Sequence, residues 1–193
     1  MIKKGFTLIE LIIVIGIIAL LATTVILVIN PAKIFQEARD SQRIADLGQV
    51  SNALGLYLAT ASAVDLDGPG VLSCATGCWV LAGGDVTAGC GGRHGAKTAT
   101  SSASQAVDGA GWLPVNMNQV SSGSPLSAYP RDPKNTATYY YSYACDAANN
   151  TFELNANMES VRYASGGSDD TEGTDGGNNA NVFEVGNAPG LSL

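Results

Sequence analysis

An apolar run of twenty-four residues, Phe6 to Ile29, follows two lysines and a glycine and is broken by a single acid, Glu10. As a helix rising about 1.5 Å per residue it is roughly 36 Å long, enough to cross a hydrocarbon core of about 30 Å. A carboxylate at that depth costs about 2.5–3.5 kcal/mol, so Glu10 demands a purpose or a partner. A secretory signal has a shorter apolar core of about 7–15 residues, closed by a small-x-small cleavage pattern. Neither feature is present. A plain membrane anchor accounts for the length and for the basic, cytoplasm-facing end at Lys3 and Lys4. It does not account for Glu10.

The residues Lys4-Gly5-Phe6-Thr7-Leu8-Ile9-Glu10 resemble the class III signal of type IV prepilins and type II secretion pseudopilins. The resemblance implies that a prepilin peptidase cuts after Gly5 on the cytoplasmic side and methylates the new amino terminus at Phe6. The apolar helix then stays on the mature chain, and Glu10 is the assembly residue. Physical reasoning agrees. An amine at Phe6 and a carboxylate at Glu10 are both costly in an apolar medium, and one helix leaves each imperfectly compensated. A second subunit docked one step along a filament brings its amine to Glu10, and a paired charge costs far less than an unpaired one. Such a pair sets axial register more than it adds stability.

The chain has 193 residues, room for an anchor and one modest domain. Its formal charge of −7 becomes −9 once Met1–Gly5, with two lysines, is removed. An acidic body with scattered Lys and Arg is a poor nucleic-acid footprint. Cys74, Cys78, Cys90 and Cys145 all lie beyond the apolar run. In a chain that folds outside the cytoplasm they are disulfide candidates. Three connectivities are open and the sequence does not choose. Cys74 with Cys90 would staple the glycine-rich loop and leave Cys78 for Cys145. The rival zinc reading is weak, because Cys-x3-Cys with lone cysteines and a lone His94 is a poor ligand pattern.

Beyond the membrane segment, Lys33–Glu37, Asp40–Arg43 and Arg43–Asp46 stand at helical spacing and read as a solvated face. Ile44, Leu47, Val50, Leu54 and Leu58 form an apolar stripe that wants a sheet to cover it. The pattern predicts one helix from about Thr7 to Ala61, kinked or loosened at Asn30-Pro31. Asp65–Gly70 is a turn cluster, Val71–Ser73 and Trp79–Ala82 are candidate strands, and Thr98–Ser104 (TATSSAS) reads as an exposed loop. Trp112, set among glycines, anchors its loop to the sheet. Thr138–Cys145 and Thr151–Met158 read as an antiparallel hairpin, with Phe152, Leu154, Ala156 and Met158 on one face. Residues 181–185 read as a last edge strand. The Pro-x-Asp-Pro turn at 130–133 before that hairpin is similar to the head of major pseudopilins and their pilin relatives.

The tail carries Asp169, Asp170, Glu172 and Asp175 among Gly and Ser. By itself it reads as a solvated mobile loop. The pseudopilin resemblance adds calcium as a candidate ligand, since hard oxygen donors suit it, but the Asp-x-Asp-x-Asp-Gly order is missing. No nucleophile motif, phosphate loop or dinucleotide fingerprint stands out, and His94 is not placed as a catalyst. The chain reads as a substrate of processing enzymes and not as an enzyme.

Taken together, these features predict an α+β pilin ladle fold, a long N-terminal α-helix packed on a small antiparallel β-sheet head. Residues 1–5 are the leader, 6–61 the helix with 6–29 in the membrane or filament core, and 62–193 an extracytoplasmic head with long loops. The resemblance implies a structural subunit of a type IV pilus, or the major pseudopilin of a type II secretion system. Its partners would be its own copies, the prepilin peptidase and methyltransferase, an inner-membrane platform protein and an assembly ATPase, with no nucleic acid. The chain would sit in the inner membrane before assembly and then in an extracellular fibre or a periplasmic pseudopilus.

Overall fold

The computed structural model describes residues 5–193, and the side chains of all of these except 27–29. The leader expected at 1–5 falls outside the described residues apart from Gly5. The chain divides into two units, Met1–Gln36 and Glu37–Leu193.

In the first unit, α1 spans Leu8–Ile29. Thr7, extended at φ −82° and ψ 151°, caps it: its hydroxyl accepts from the Glu10 N–H, and the Glu10 side chain returns to the Thr7 N–H. This reciprocal capping box satisfies donors that a helix start otherwise leaves open. Thr23 and Thr24 turn their hydroxyls back onto the Leu20 and Leu21 carbonyls, 2.8 Å each, so the apolar stretch carries no loose polar group there. The helix stops at Asn30, which adopts left-handed geometry at φ 43° and ψ 81°. Asn tolerates that region better than most side chains, and Pro31, which has no N–H to continue the ladder, starts α2 at Pro31–Thr60. The single helix expected over 7–61 is therefore two helices.

In the second unit, α2 from Glu37 onward lays Leu47, Val50, Ala53, Leu54 and Tyr57 against a five-stranded sheet. The strands are β1 Gly77–Leu81, β2 Thr98–Ser102, β3 Ser142–Asp146, β4 Thr151–Ala156 and β5 Phe183–Gly186, in spatial order β2-β1-β3-β4-β5. The sheet is mixed, not antiparallel as expected. β2 runs parallel to β1, and the other pairs are antiparallel. The expected loop at 98–104 supplies β2. Residues 71–73 form no strand, because the Ser73 carbonyl closes a turn by accepting from Thr76 and Gly77 N–H. The first hairpin strand starts only at Ser142, since the Thr138 and Tyr140 carbonyls are taken by Arg93.

Alternation along the strands gives the sheet two buried faces. Trp79, Leu81, Tyr143, Cys145, Phe152, Leu154 and Ala156 meet α2 and the 104–130 segment, which contributes Trp112, Leu113, Val115 and Met117. Trp112 donates to the Pro130 carbonyl at 3.1 Å and stands edge-on to Tyr129. A side chain at Gly111 would collide with the Ala106 carbonyl, so this close approach requires glycine. Cys78, Val80, Tyr140, Ala144 and Cys90 pack on the other face.

The same alternation fixes the disulfides. Cys78 stands opposite Ala144, so Cys145, one residue on, points to the opposite face. A Cys78–Cys145 bond is thereby excluded. Of the three connectivities the sequence left open, the structure joins Cys74 to Cys145 and Cys78 to Cys90, one pair on each face, and not Cys74 to Cys90 with Cys78 to Cys145. Cys74–Cys145 spans 71 residues, and closing so long a loop restricts the unfolded chain strongly. Cys145→Ser is expected to cost about 2–5 kcal/mol, visible as a lower urea midpoint. An unchanged midpoint would show that the pair adds nothing to the core around it.

Candidate assembly site and the buried charges of the head

At the start of α1 the Glu10 carboxylate is parked on its own helix end. Oε2 accepts from the Thr7 N–H at 2.9 Å and from the Thr7 hydroxyl at 2.7 Å. Among the described residues no donor reaches Oε1. Around it Phe6, Leu8, Ile9, Leu11 and Ile12 are all exposed, as are the large apolar side chains onward to Ile26. Leu8–Ile26 is long and apolar enough to cross a membrane. The helix thus offers an uncovered apolar surface with one carboxylate, held locally and open to a second donor.

This segment is where the chain is similar to known proteins. Residues 1–26 carry the prokaryotic N-terminal methylation motif. The motif supports a pilin-like or pseudopilin-like subunit, with processing by prepilin peptidase and assembly into a pilus-like polymer as its implication. An apolar N-terminal helix bearing this motif fits membrane anchoring before assembly. The match ends within α1 and leaves the head outside it. No curated protein and no solved structure matches the chain.

The head holds a buried ion cluster that the sequence placed on a solvated face. Asp40 and Arg43 of α2 are fully buried. Arg43 grips Asp132 through Nε at 2.6 Å and Nη2 at 3.1 Å, Asp40 at 2.8 Å and Glu159 at 2.7 Å. Glu159 also accepts both arms of the Arg39 fork, at 2.8 and 2.7 Å, and lies 2.6 Å from Lys134 Nζ. Asp40 caps the Glu159 and Ser160 N–H groups, and Asp132 Oδ1 caps those of Lys134 and Asn135. A guanidinium suits this role because its planar fork matches several carboxylates at once. The cluster fastens α2 to the 130–135 turn and to the segment after β4. Sequence reading missed it because Asp132 lies 89 residues from Arg43. The available signal was an acid fixed between two prolines.

Burial alone would raise the Glu159 carboxyl, but hydrogen bonds from Arg39, Lys134 and Arg43 outweigh it and hold the group at about 2. The folded value lies below the unfolded one of about 4.3. The stability it contributes is therefore present above that pH and lost as pH falls through the folded value. Thermal melts are expected to drop between about pH 4 and about pH 2, and Glu159→Gln to flatten that limb while lowering the melt at neutral pH. An acid limb equally steep in the variant would remove Glu159 from the account.

On the other face, His94 sets Nε2 3.0 Å from Ser142 Oγ and Nδ1 3.4 Å from Glu153 Oε1. The order of groups is that of a nucleophile, base and acid relay. All three residues are fully buried, so no substrate reaches the hydroxyl in this arrangement.

The four acids of the tail are each used by the protein. Asp169 pairs with Arg162. Asp170 accepts from Gly166 and Gly173 N–H, Glu172 from Met158 and Ser165, and Asp175 from Gly177 and Glu184. Among the described residues no group of three His, Cys, Asp or Glu is placed to hold a metal. These carboxylates organise turns, and the tail is not the free solvated loop expected from its composition.

Proposed function

We propose that this chain is the structural subunit of a type IV pilus. The leader is removed after Gly5, Phe6 is methylated, and the chain waits in the inner membrane with Glu10 held by Thr7. A platform protein and a cytoplasmic ATPase then move it into a growing filament, where α1 packs with sister helices and the heads face outward. The observation that carries this reading is an apolar helix with no cover of its own and a single carboxylate near the processing point. In the filament that carboxylate exchanges its own cap for the amine of a neighbour, which sets the axial step. The long loops of the head and its two disulfides suit a surface exposed outside the cell. Adhesion or motility are the roles such a fibre serves.

The second reading, a major pseudopilin of a type II secretion system, is favoured by the Pro130–Pro133 turn leading into the β3–β4 hairpin, with Asp132 clamped on Arg43. Imaging of sheared cell-surface material separates the two. Micrometre fibres containing this chain support the pilus. Their absence, together with a protein-secretion defect on deletion, supports the piston.

A further inference from the structure

The segment between β1 and β2, residues 82–97, covers the second sheet face, and Cys90, Arg93 and His94 are among the residues that fasten it there. Cys90 is bonded to Cys78 of β1. The Arg93 guanidinium donates to the Tyr140 and Thr138 carbonyls and to the Asn157 side-chain oxygen, with its carbon 3.5 Å from the centre of the Tyr140 ring. His94 reaches Ser142 on β3 and Glu153 on β4. The imidazole is fully buried, and Nδ1 makes no hydrogen bond.

We propose that His94 is an acid-released latch: protonation of its imidazole in mildly acid solution lifts residues 82–97 off the sheet, while Cys78–Cys90 keeps the segment tethered. A second proton would place a cation where the neutral ring now sits without solvent, and burial of charge is costly. Glu153 of β4 attracts that cation. Its oxygens are already engaged, Oε1 by Asn155 Nδ2 and Oε2 by the Leu193 N–H. Arg93 and Lys97 of the same segment repel it. Ser142 of β3 is neutral, Glu184 of β5 stands across from Asn155 on the same face, and Tyr140 is turned to the Cys90 carbonyl. Burial therefore dominates and pushes the ring below its ordinary value. The sign follows. Closure is at full strength above the ordinary imidazole value of about 6.5 and weakens about tenfold per pH unit below it, down to the depressed folded value.

Hydrogen exchange on the whole mature protein, corrected for intrinsic chemistry, tests this. The Gly89, Gly91, His94 and Lys97 amides are bonded within residues 87–97 and report its opening, and the β3–β4 ladder is the reference. Between about pH 7.5 and about pH 5.5 the segment is expected to open about tenfold more often while the ladder is unchanged, and His94→Gln to abolish the difference. Equal responses of segment and ladder, or the same tenfold change in the variant, overturn the proposal. Should His94→Gln fail to fold, titration of the His94 ring in the native protein decides. A midpoint below the ordinary value alongside lost protection supports the latch, and a midpoint at or above it refutes it.

Discussion

Arg43→Ala is expected to destabilise the head by about 3–5 kcal/mol, because removing one member of a buried ion cluster leaves its partners charged and unmatched. Asp132 loses its bonds to Arg43 Nε and Nη2, and Asp40 loses its bond to Arg43 Nη1. Glu159 retains Arg39 and Lys134. The damage should therefore centre on the 130–135 turn, which Asp132 ties to α2. In a unit of this size such a loss corresponds to a fall in melting temperature on the order of 10 °C. Arg43→Lys keeps the charge but gives up the planar fork that reaches three carboxylates, so it should fall between native and alanine. Chemical denaturation of the purified protein reads both variants. An alanine variant within about 1 kcal/mol of native would mean that the cluster is replaceable packing and not the clamp described above.

Glu10→Ala is expected to reduce filament yield to background while the head keeps its melting temperature and the chain stays in the membrane. The separation holds because α1 belongs to the first unit, whereas the core and both disulfides lie in the second. Glu10 has two jobs that a second variant distinguishes. As a cap it accepts from Thr7, and in the filament proposed above its charge answers a neighbouring amine. Glu10→Gln preserves the first and removes the second. Loss of filaments in Glu10→Gln assigns assembly to the charge. Normal yield from Glu10→Gln, with loss only in Glu10→Ala, would move the role to helix capping.

The legible parts of the molecule were those fixed by neighbours in the chain. The apolar run, the Glu10 interruption and the alternation of Phe152, Leu154 and Ala156 are local patterns, and each appears in the structure as read. What stayed hidden depended on distant residues. Thr98–Ser102 has no apolar alternation and becomes a strand only because β1 supplies a parallel neighbour. The cysteine pairing follows from the Cys78–Ala144 register, which no spacing reveals. Arg43 at helical spacing from Asp40 looked like a surface pair and is buried because Asp132 and Glu159 come to meet it. At Asn30 the dipeptide with Pro31 signalled a weakness, but left-handed geometry made it a break. The N-terminal methylation motif was legible because it is a local pattern of neighbouring residues. The partners of the tail acids, backbone N–H groups for Asp170, Glu172 and Asp175 and the Arg162 guanidinium for Asp169, have no signature in the sequence.

The central claim is that α1 is a processed polymerisation helix whose lone acid is matched by the amine of a neighbour. Intact mass and N-terminal fragmentation of the chain recovered from membranes or filaments test it most directly. A mature chain beginning at N-methylated Phe6 is the predicted result, and a chain that still begins at Met1 in every fraction contradicts it.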